Sequence, residues 1–204
     1  MAPNSKSARR AREIEHTRRD IMDAAARVFA GAGFHEATMQ AIAGEVGFTA
    51  ASLYTYFKSK DEIYAALVDE FRGAFLATFD AHLPAGLTFE QRLELLIQRQ
   101  FEMAFARRQA LRIMFDLGPR HRCRNDEDGP LALLRRMTEF LAASGAAERL
   151  RCPPEEAARV LFGITQATFL PWITESTAAV PDPARHAAHV VDLFLRGVGR
   201  PSGG

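Results

Sequence analysis

The sequence predicts an all-α protein of about nine helices, with a small N-terminal domain followed by a larger helical body. Three observations predict it. Apolar residues recur three and four apart along nearly the whole chain, the spacing that puts them on one face of a helix. These stripes open on Thr, Ser or Pro and close on Gly or Pro, residues that cap, start or stop helices for known steric and hydrogen-bonding reasons. No segment alternates apolar and polar residues over the length of a strand, so no sheet is expected.

The elements follow in chain order. Residues 1–16 read as a basic flexible arm, and residues 1–19 carry Lys6, Arg9, Arg10, Arg12, Arg18 and Arg19 against only Glu13 and Glu15. Such a stretch is either a solvated tail or an arm that reaches the phosphates of a nucleic acid. Residues 17–62 would form a first, small helical domain. Its first helix spans about residues 17–32, with Ile21, Ala25, Val28 and Phe29 on one face and glycines at its end. Residues 38–60, TMQAIAGEVGFTAASLYTYFKSK, read as two short helices joined by a tight turn. Thr38 caps the first, which carries Met39, Ile42, Ala43 and Val46 inward. Gly47 stops it, since glycine alone takes positive φ without steric cost. Thr49 caps the second, in which Leu53 and Phe57 form the buried stripe.

Residues 63–200 would form the body, and residues 201–204 a disordered tail. Ser59 caps a long helix whose stripe is Ile63, Leu67, Phe71 and Phe75, broken near Pro84 and Gly86. Thr88 opens the next, with Leu93, Leu96, Ile97, Phe101 and Phe105 on one face. A break at residues 107–109 separates it from a short helix containing Leu111, Met114 and Phe115. Residues 118–129, GPRHRCRNDEDG, have no hydrophobic period and read as a loop. Pro130 begins a helix to Ala143, Pro153 and Pro154 begin one to about Thr174, and after Pro183 a last helix runs to about Arg196.

Composition narrows the function. Net charge is +1, so any attraction to polyanions must be local. No apolar run is long enough to span a membrane, and the basic opening is no signal peptide because Asp23 and Arg27 interrupt its apolar stretch. The two cysteines, Cys123 and Cys152, make no secreted disulfide scaffold, so a reducing cytoplasm is expected. His121, Cys123, Asp126, Glu127 and Asp128 crowd one loop, but no second Cys or His pair stands at zinc spacing, and no metal or cofactor is expected. Arg122 and Arg124 would lower the Cys123 thiol pKa, which leaves a redox switch as a lesser reading. There is no Ser-His-Asp context and no glycine-rich phosphate loop, so no enzyme is expected.

The run from Gly47 to Glu62, Gly-Phe-Thr-x-x-Ser-Leu-Tyr-x-Tyr-Phe-x-Ser-Lys-Asp-Glu, resembles the signature of TetR/AcrR-family transcriptional regulators, as do Ala24, Ala25, Phe29, Gly33 and Phe34 before it. Ala51 stands where the family often has Gly. The resemblance implies a helix-turn-helix that binds double-stranded DNA at a palindromic operator, most simply as a repressor. It also implies a homodimer through the last two helices, whose small residues otherwise suit a core pair within one subunit. For single positions it implies a base contact by Gln40, caps and phosphate contacts by Thr38 and Thr49, and close approach at Ala50 and Ala51. Ser52 and Thr55 would face the groove, Tyr54 and Tyr56 would grip phosphates, and Lys60 would reach the DNA backbone. Tyr54 is equally readable as core.

A regulator released by a small-molecule effector needs a second site. Phe101, Phe105, Met114, Phe115, Met137, Phe140, Phe162, Thr165, Thr168, Phe169 and Trp172 would line one suited to a flat or greasy ligand, though aromatic stripes also make ordinary core. Pro171 would free a carbonyl near Thr168 or Ala167, giving the ligand a polar foothold beside Thr168 and Trp172. A DNA-binding regulator without small-molecule input, controlled by redox state or a partner protein, is the alternative.

Overall fold

The computed structural model describes residues 5–117, 129–143, 149–174 and 182–199. The loop with His121, Cys123 and the three acids, and the tail 201–204, lie outside the described residues. Among the described residues there are nine helices and no strand: α1 Ser5–Ala32, α2 Met39–Val46, α3 Ala50–Leu53, α4 Lys60–Asp80, α5 Phe89–Ala106, α6 Arg108–Leu117, α7 Gly129–Ala143, α8 Pro154–Thr174 and α9 Pro183–Val198. One isolated antiparallel bridge joins Leu150 and Gly199.

The helix ends follow elementary capping chemistry. Thr38 accepts from the Ala41 amide and Thr49 from the Ser52 amide, while Gly47 closes α2 at φ 77°. Thr88 and Gln91 cap α5 reciprocally, each side chain accepting the other's backbone N–H. Asp182 caps α9 with Pro183 in its first turn. The break between α5 and α6 falls at Arg107, whose amide turns back to the Met103 and Ala104 carbonyls.

Two elements differ from expectation. The basic stretch expected as a flexible arm is helical from Ser5, continuous with α1. Pairs four apart explain it: Arg9 bonds Glu13 at 2.8 Å, His16 bonds Asp20 at 3.0 Å, and the Thr17 hydroxyl donates to the Glu13 carbonyl. The second motif helix is shorter than its apolar stripe suggests. After Leu53 the amides of Thr55 and Tyr56 reach back three residues, to Ser52 and Leu53, and the Thr55 hydroxyl bonds the Ser52 carbonyl at 2.7 Å. A hydroxyl competing for that carbonyl favours the tighter turn.

The chain divides into two compact units, Met1–Phe71 with Gln109–Arg124, and Arg72–Arg108 with Asn125–Gly204. The division falls within α4 rather than ahead of it, because Ile63, Tyr64 and Leu67 complete the core of the first unit. That core gathers Ile21, Ala25 and Phe29 from α1, Ile42 from α2, and Leu53 and Phe57 from the α3 region. Ile113 of α6 is buried among them and Met114 packs against them. Phe34 lies 5.1 Å from Phe29 and 5.5 Å from Tyr64, ring to ring. Full burial of each large apolar side chain stabilises by about 1.5–3 kcal/mol, so the eight-residue α2 and the four-residue α3 are held in place by sharing this core.

In the second unit α5 packs on α9, α7 on α8, and α8 on α9. Its core is Leu93, Leu96, Ile97 and Phe101 of α5, Met137 and Leu141 of α7, Leu161 and Phe169 of α8, and Val190, Val191 and Phe194 of α9. Arg99 donates to the Ala81 and His82 carbonyls at 3.2 and 2.9 Å, tying α5 to the residues just past α4. No described helix is long and apolar enough to cross a membrane.

Candidate nucleic-acid interface and body cluster

The α2–turn–α3 surface is built from short polar side chains held by caps. Thr38, Gln40, Thr49, Ala51, Ser52 and Thr55 are exposed, and Ala50 is half-buried. The Thr49 and Ser52 hydroxyls lie 2.9 Å apart, each able to donate to the other, which fixes both at the start of α3. Tyr54 is 53% exposed, which removes the core reading of that side chain. Tyr56 is half-buried with its ring 6.3 Å from that of Phe48, so it supports the turn as well as the surface.

Two basic residues do something the sequence did not suggest. Lys60, expected at a phosphate, donates to the carbonyls of Phe34, His35 and Ala37 at 2.8, 2.8 and 3.0 Å. An ammonium has three N–H groups, and three are used. The ammonium also lies 4.9 Å from the Phe34 ring centroid. In this geometry Lys60 clamps the start of α4 to the turn between α1 and α2, and no side-chain donor is left for DNA. Arg18, counted with the basic arm, stacks its guanidinium 3.9 Å over the Phe57 ring and donates to the Tyr56 carbonyl. Its spacing from Ile21 and Ala25 already placed it on the buried face of α1; that was the readable signal. Arg27 and Glu45 bridge α1 and α2 at 2.9 Å. At the start of α4, Ser59 accepts from the Glu62 amide while the Glu62 carboxylate accepts from the Lys58 amide.

In the second unit, the structure brings together part of the aromatic set. Phe101 and Phe169 stack at 4.2 Å, Phe105 and Trp172 stack at 5.2 Å, and Phe169 lies 6.4 Å from Trp172. Arg108 sits 5.1 Å over the Trp172 ring and donates to the Trp172 carbonyl at 2.8 Å. Phe140 instead pairs with Phe79 at 6.4 Å, Met137 is buried, and Phe162 is half-buried. Met114 and Phe115 belong to the first unit. Thr165 is buried and donates to the Leu161 carbonyl, and Thr168 donates to the Thr165 carbonyl, both at 2.8 Å. The foothold expected beside Pro171 is therefore changed: the Thr168 proton and the Trp172 carbonyl are already engaged.

Sequence reasoning missed two polar residues of the second unit, Gln100 and His186. Gln100 occupies a position of the buried α5 stripe, between Ile97 and Phe101. The His186 imidazole lies 3.9 Å from the Phe101 ring. Burial first, and the neighbouring His189 second, hold its pKa below the ordinary value of 6.5. The unfolded chain therefore takes up a proton at higher pH than the folded chain. The stability this contributes is fully present above about pH 6.5 and is lost as pH falls through the folded-state value. Melting temperature should thus decline on acidification more steeply in the wild type than in His186→Phe; parallel curves would contradict the assignment.

Comparison with known proteins places this geometry. The family model for bacterial regulatory proteins of the tetR family matches residues 21–67, the α1–α4 part of the first unit. The chain is 30% identical over 193 residues to an uncharacterized HTH-type transcriptional regulator, YdgC, of Bacillus subtilis, covering 89% of this chain and 92% of that one. It is 31% identical over 83 residues to the fatty acid metabolism regulator protein of the same organism, covering 41% and 43%. The fold is similar to that of the fatty acid degradation regulator FadR from Bacillus halodurans, with a TM-score of 0.73, 23% identity, and 88% and 95% of the two chains covered. The capped helix pair, the turn at Gly47 and a full-length relative agree: this chain belongs to the TetR family of DNA-binding transcriptional regulators.

Proposed function

We propose that this protein represses transcription as a homodimer on a palindromic operator, and is released when a small hydrophobic or aromatic effector enters the body. The observation that carries the reading is the α2–α3 surface, where both helices are capped by threonine and no acid occurs from Ala50 to Tyr56. Gln40 suits the adenine N6/N7 edge, Ser52 and Thr55 suit base edges or the thymine methyl, and Thr38, Thr49, Tyr54 and Tyr56 suit phosphates.

A palindrome needs two such surfaces roughly 34–36 Å apart, so two copies must associate. Leu170 on α8 and Leu193 on α9 are 45% and 41% exposed, apolar surface suited to a second copy. Two of the relatives are named as regulators of fatty acid metabolism and degradation, which supports an apolar effector here. A coupling of about 1–3 kcal/mol between effector and operator would weaken DNA binding roughly 5–150-fold.

Sedimentation velocity tests the assembly. The 22.6 kDa chain should sediment as a dimer, and Leu193→Glu should shift it toward monomer and lose operator affinity with its helical content intact. A Leu193→Glu protein that stays dimeric and binds the operator would contradict an α8–α9 interface.

A further inference from the structure

The helix α3 is four residues long and is held differently at its two ends. Its N-terminus is capped locally, by the Thr49 hydroxyl on the Ser52 amide. Its C-terminus has no local stop of the kind that Gly47 gives α2, since Tyr54 follows at φ −62°, still right-handed. The amides of Tyr56 and Phe57 both turn back to the Leu53 carbonyl, at 2.9 and 3.1 Å, so the chain leaves the helix through a tight turn. Carbonyls past that point have no helical donor ahead of them and carry the negative end of the local dipole. The donor that reaches one of them comes from α1: Arg18, 38 residues earlier, bonds the Tyr56 carbonyl.

The bond is fixed in orientation as well as in place. Arg18 is half-buried, and its guanidinium lies 3.9 Å over the ring of Phe57, which is 1% exposed. A planar cation stacked on an aromatic face aims its N–H groups in one plane, and a charged donor strengthens the bond to a carbonyl. The held residue also reaches the other end of α3. The Tyr56 ring lies 6.3 Å from that of Phe48, whose amide donates to the Ala43 carbonyl at 2.8 Å.

We propose that Arg18 is a positioning residue for operator recognition. From α1 it holds the exit of α3, and with it the exposed side chains of Ser52, Tyr54 and Thr55, in the arrangement that meets the groove. The inference rests on the proposed reading of the α2–α3 surface as the operator contact, and it gives Arg18 itself no contact with DNA. Without Arg18 the exit turn samples other arrangements, and operator affinity falls by the fraction of molecules that keep the docked one. Sequence-independent binding needs only basic groups near phosphates and does not depend on that register.

The test compares full-length wild type, Arg18→Met and Arg19→Met. Methionine keeps an apolar stem against Phe57 and removes the charged donor. Arg19 is exposed on the same helix, so its variant sets the effect of losing one charge there. In the free proteins, amide hydrogen exchange at residues 53–57 should be about ten-fold faster in Arg18→Met, with exchange at Val190 and Val191 of the second unit unchanged. Binding is measured on the consensus duplex recovered by selection and on random duplex of equal length. Arg18→Met should lose about ten-fold in preference for the consensus, as when the docked arrangement falls to about a tenth of the population, and should keep the wild-type salt slope. Arg19→Met should keep the preference. Arg18→Lys keeps a charged donor and gives up the planar stack. It should lie between wild type and Arg18→Met, and it takes the place of Arg18→Met in each measurement if that variant does not fold. Unchanged exchange at residues 53–57, or exchange faster in both units alike, overturns the inference. So does a salt slope shallower by about 0.9, which would make Arg18 a phosphate contact. Wild type that selects a consensus while Arg18→Met prefers it equally removes only this inference; wild type that selects none removes the operator reading as well.

Discussion

Replacing Phe57 by alanine is expected to destabilise the protein by about 3–5 kcal/mol, the range for deleting a buried aromatic ring. Phe57 is 1% exposed, packs in the core of the first unit, and carries the Arg18 guanidinium on its face. The variant loses the ring's burial, leaves a cavity and unseats Arg18, whose other bond holds the Tyr56 carbonyl. The four-residue α3 has little stability of its own, because helices this short do not form without tertiary support. Operator binding should therefore fail before the remaining helices melt. Urea denaturation followed by circular dichroism, run beside a DNA-binding titration, checks it. A loss under about 1 kcal/mol would mean that Phe57 does not anchor the α3 turn.

Lys60→Met should cost about 2 kcal/mol, because it removes a charged donor from three carbonyls, two of them partly buried. The methionine stem keeps the packing, so the loss isolates the ammonium. The effect on DNA binding distinguishes a clamp from a phosphate contact. A phosphate lysine adds about 0.9 to the steepness of log affinity against log salt concentration; a clamp adds none. Lys60→Met should lower operator affinity while leaving the salt slope unchanged. A slope shallower by about one unit would show that Lys60 turns to the DNA when the complex forms.

Much of this architecture is readable without coordinates because it depends on local chemistry. Thr38, Thr49, Thr88 and Pro183 mark helix starts by hydrogen bonding and ring geometry that involve only the next few residues. Gly47 marks a stop for an equally local reason, its positive φ. What escaped the sequence depends on partners far along the chain. Lys60 bonds carbonyls more than twenty residues earlier, and Arg18 bonds one nearly forty residues later; in each case the motif or the local charge suggested a simpler role. Ile113 looks like any residue of an amphipathic helix, and only the fold shows that it completes the core of the first unit. Basic composition suggests a flexible arm over residues 1–16, whereas the Arg9–Glu13 and His16–Asp20 pairs, four apart, support a helix from Ser5. Gln100 is one polar residue in an apolar stripe, and only the fold shows that both its amide atoms are buried without a partner among the described residues.

Selection of bound sequences from randomised duplex DNA at physiological salt most directly tests the claim that the capped α2–α3 surface reads an operator. The account predicts a palindromic consensus with half-sites about one helical turn apart, and a Gln40→Ala protein that relaxes one symmetric pair of positions while keeping the rest. Binding of all sequences alike, sensitive to salt and unchanged by Gln40→Ala or Tyr54→Ala, would contradict it.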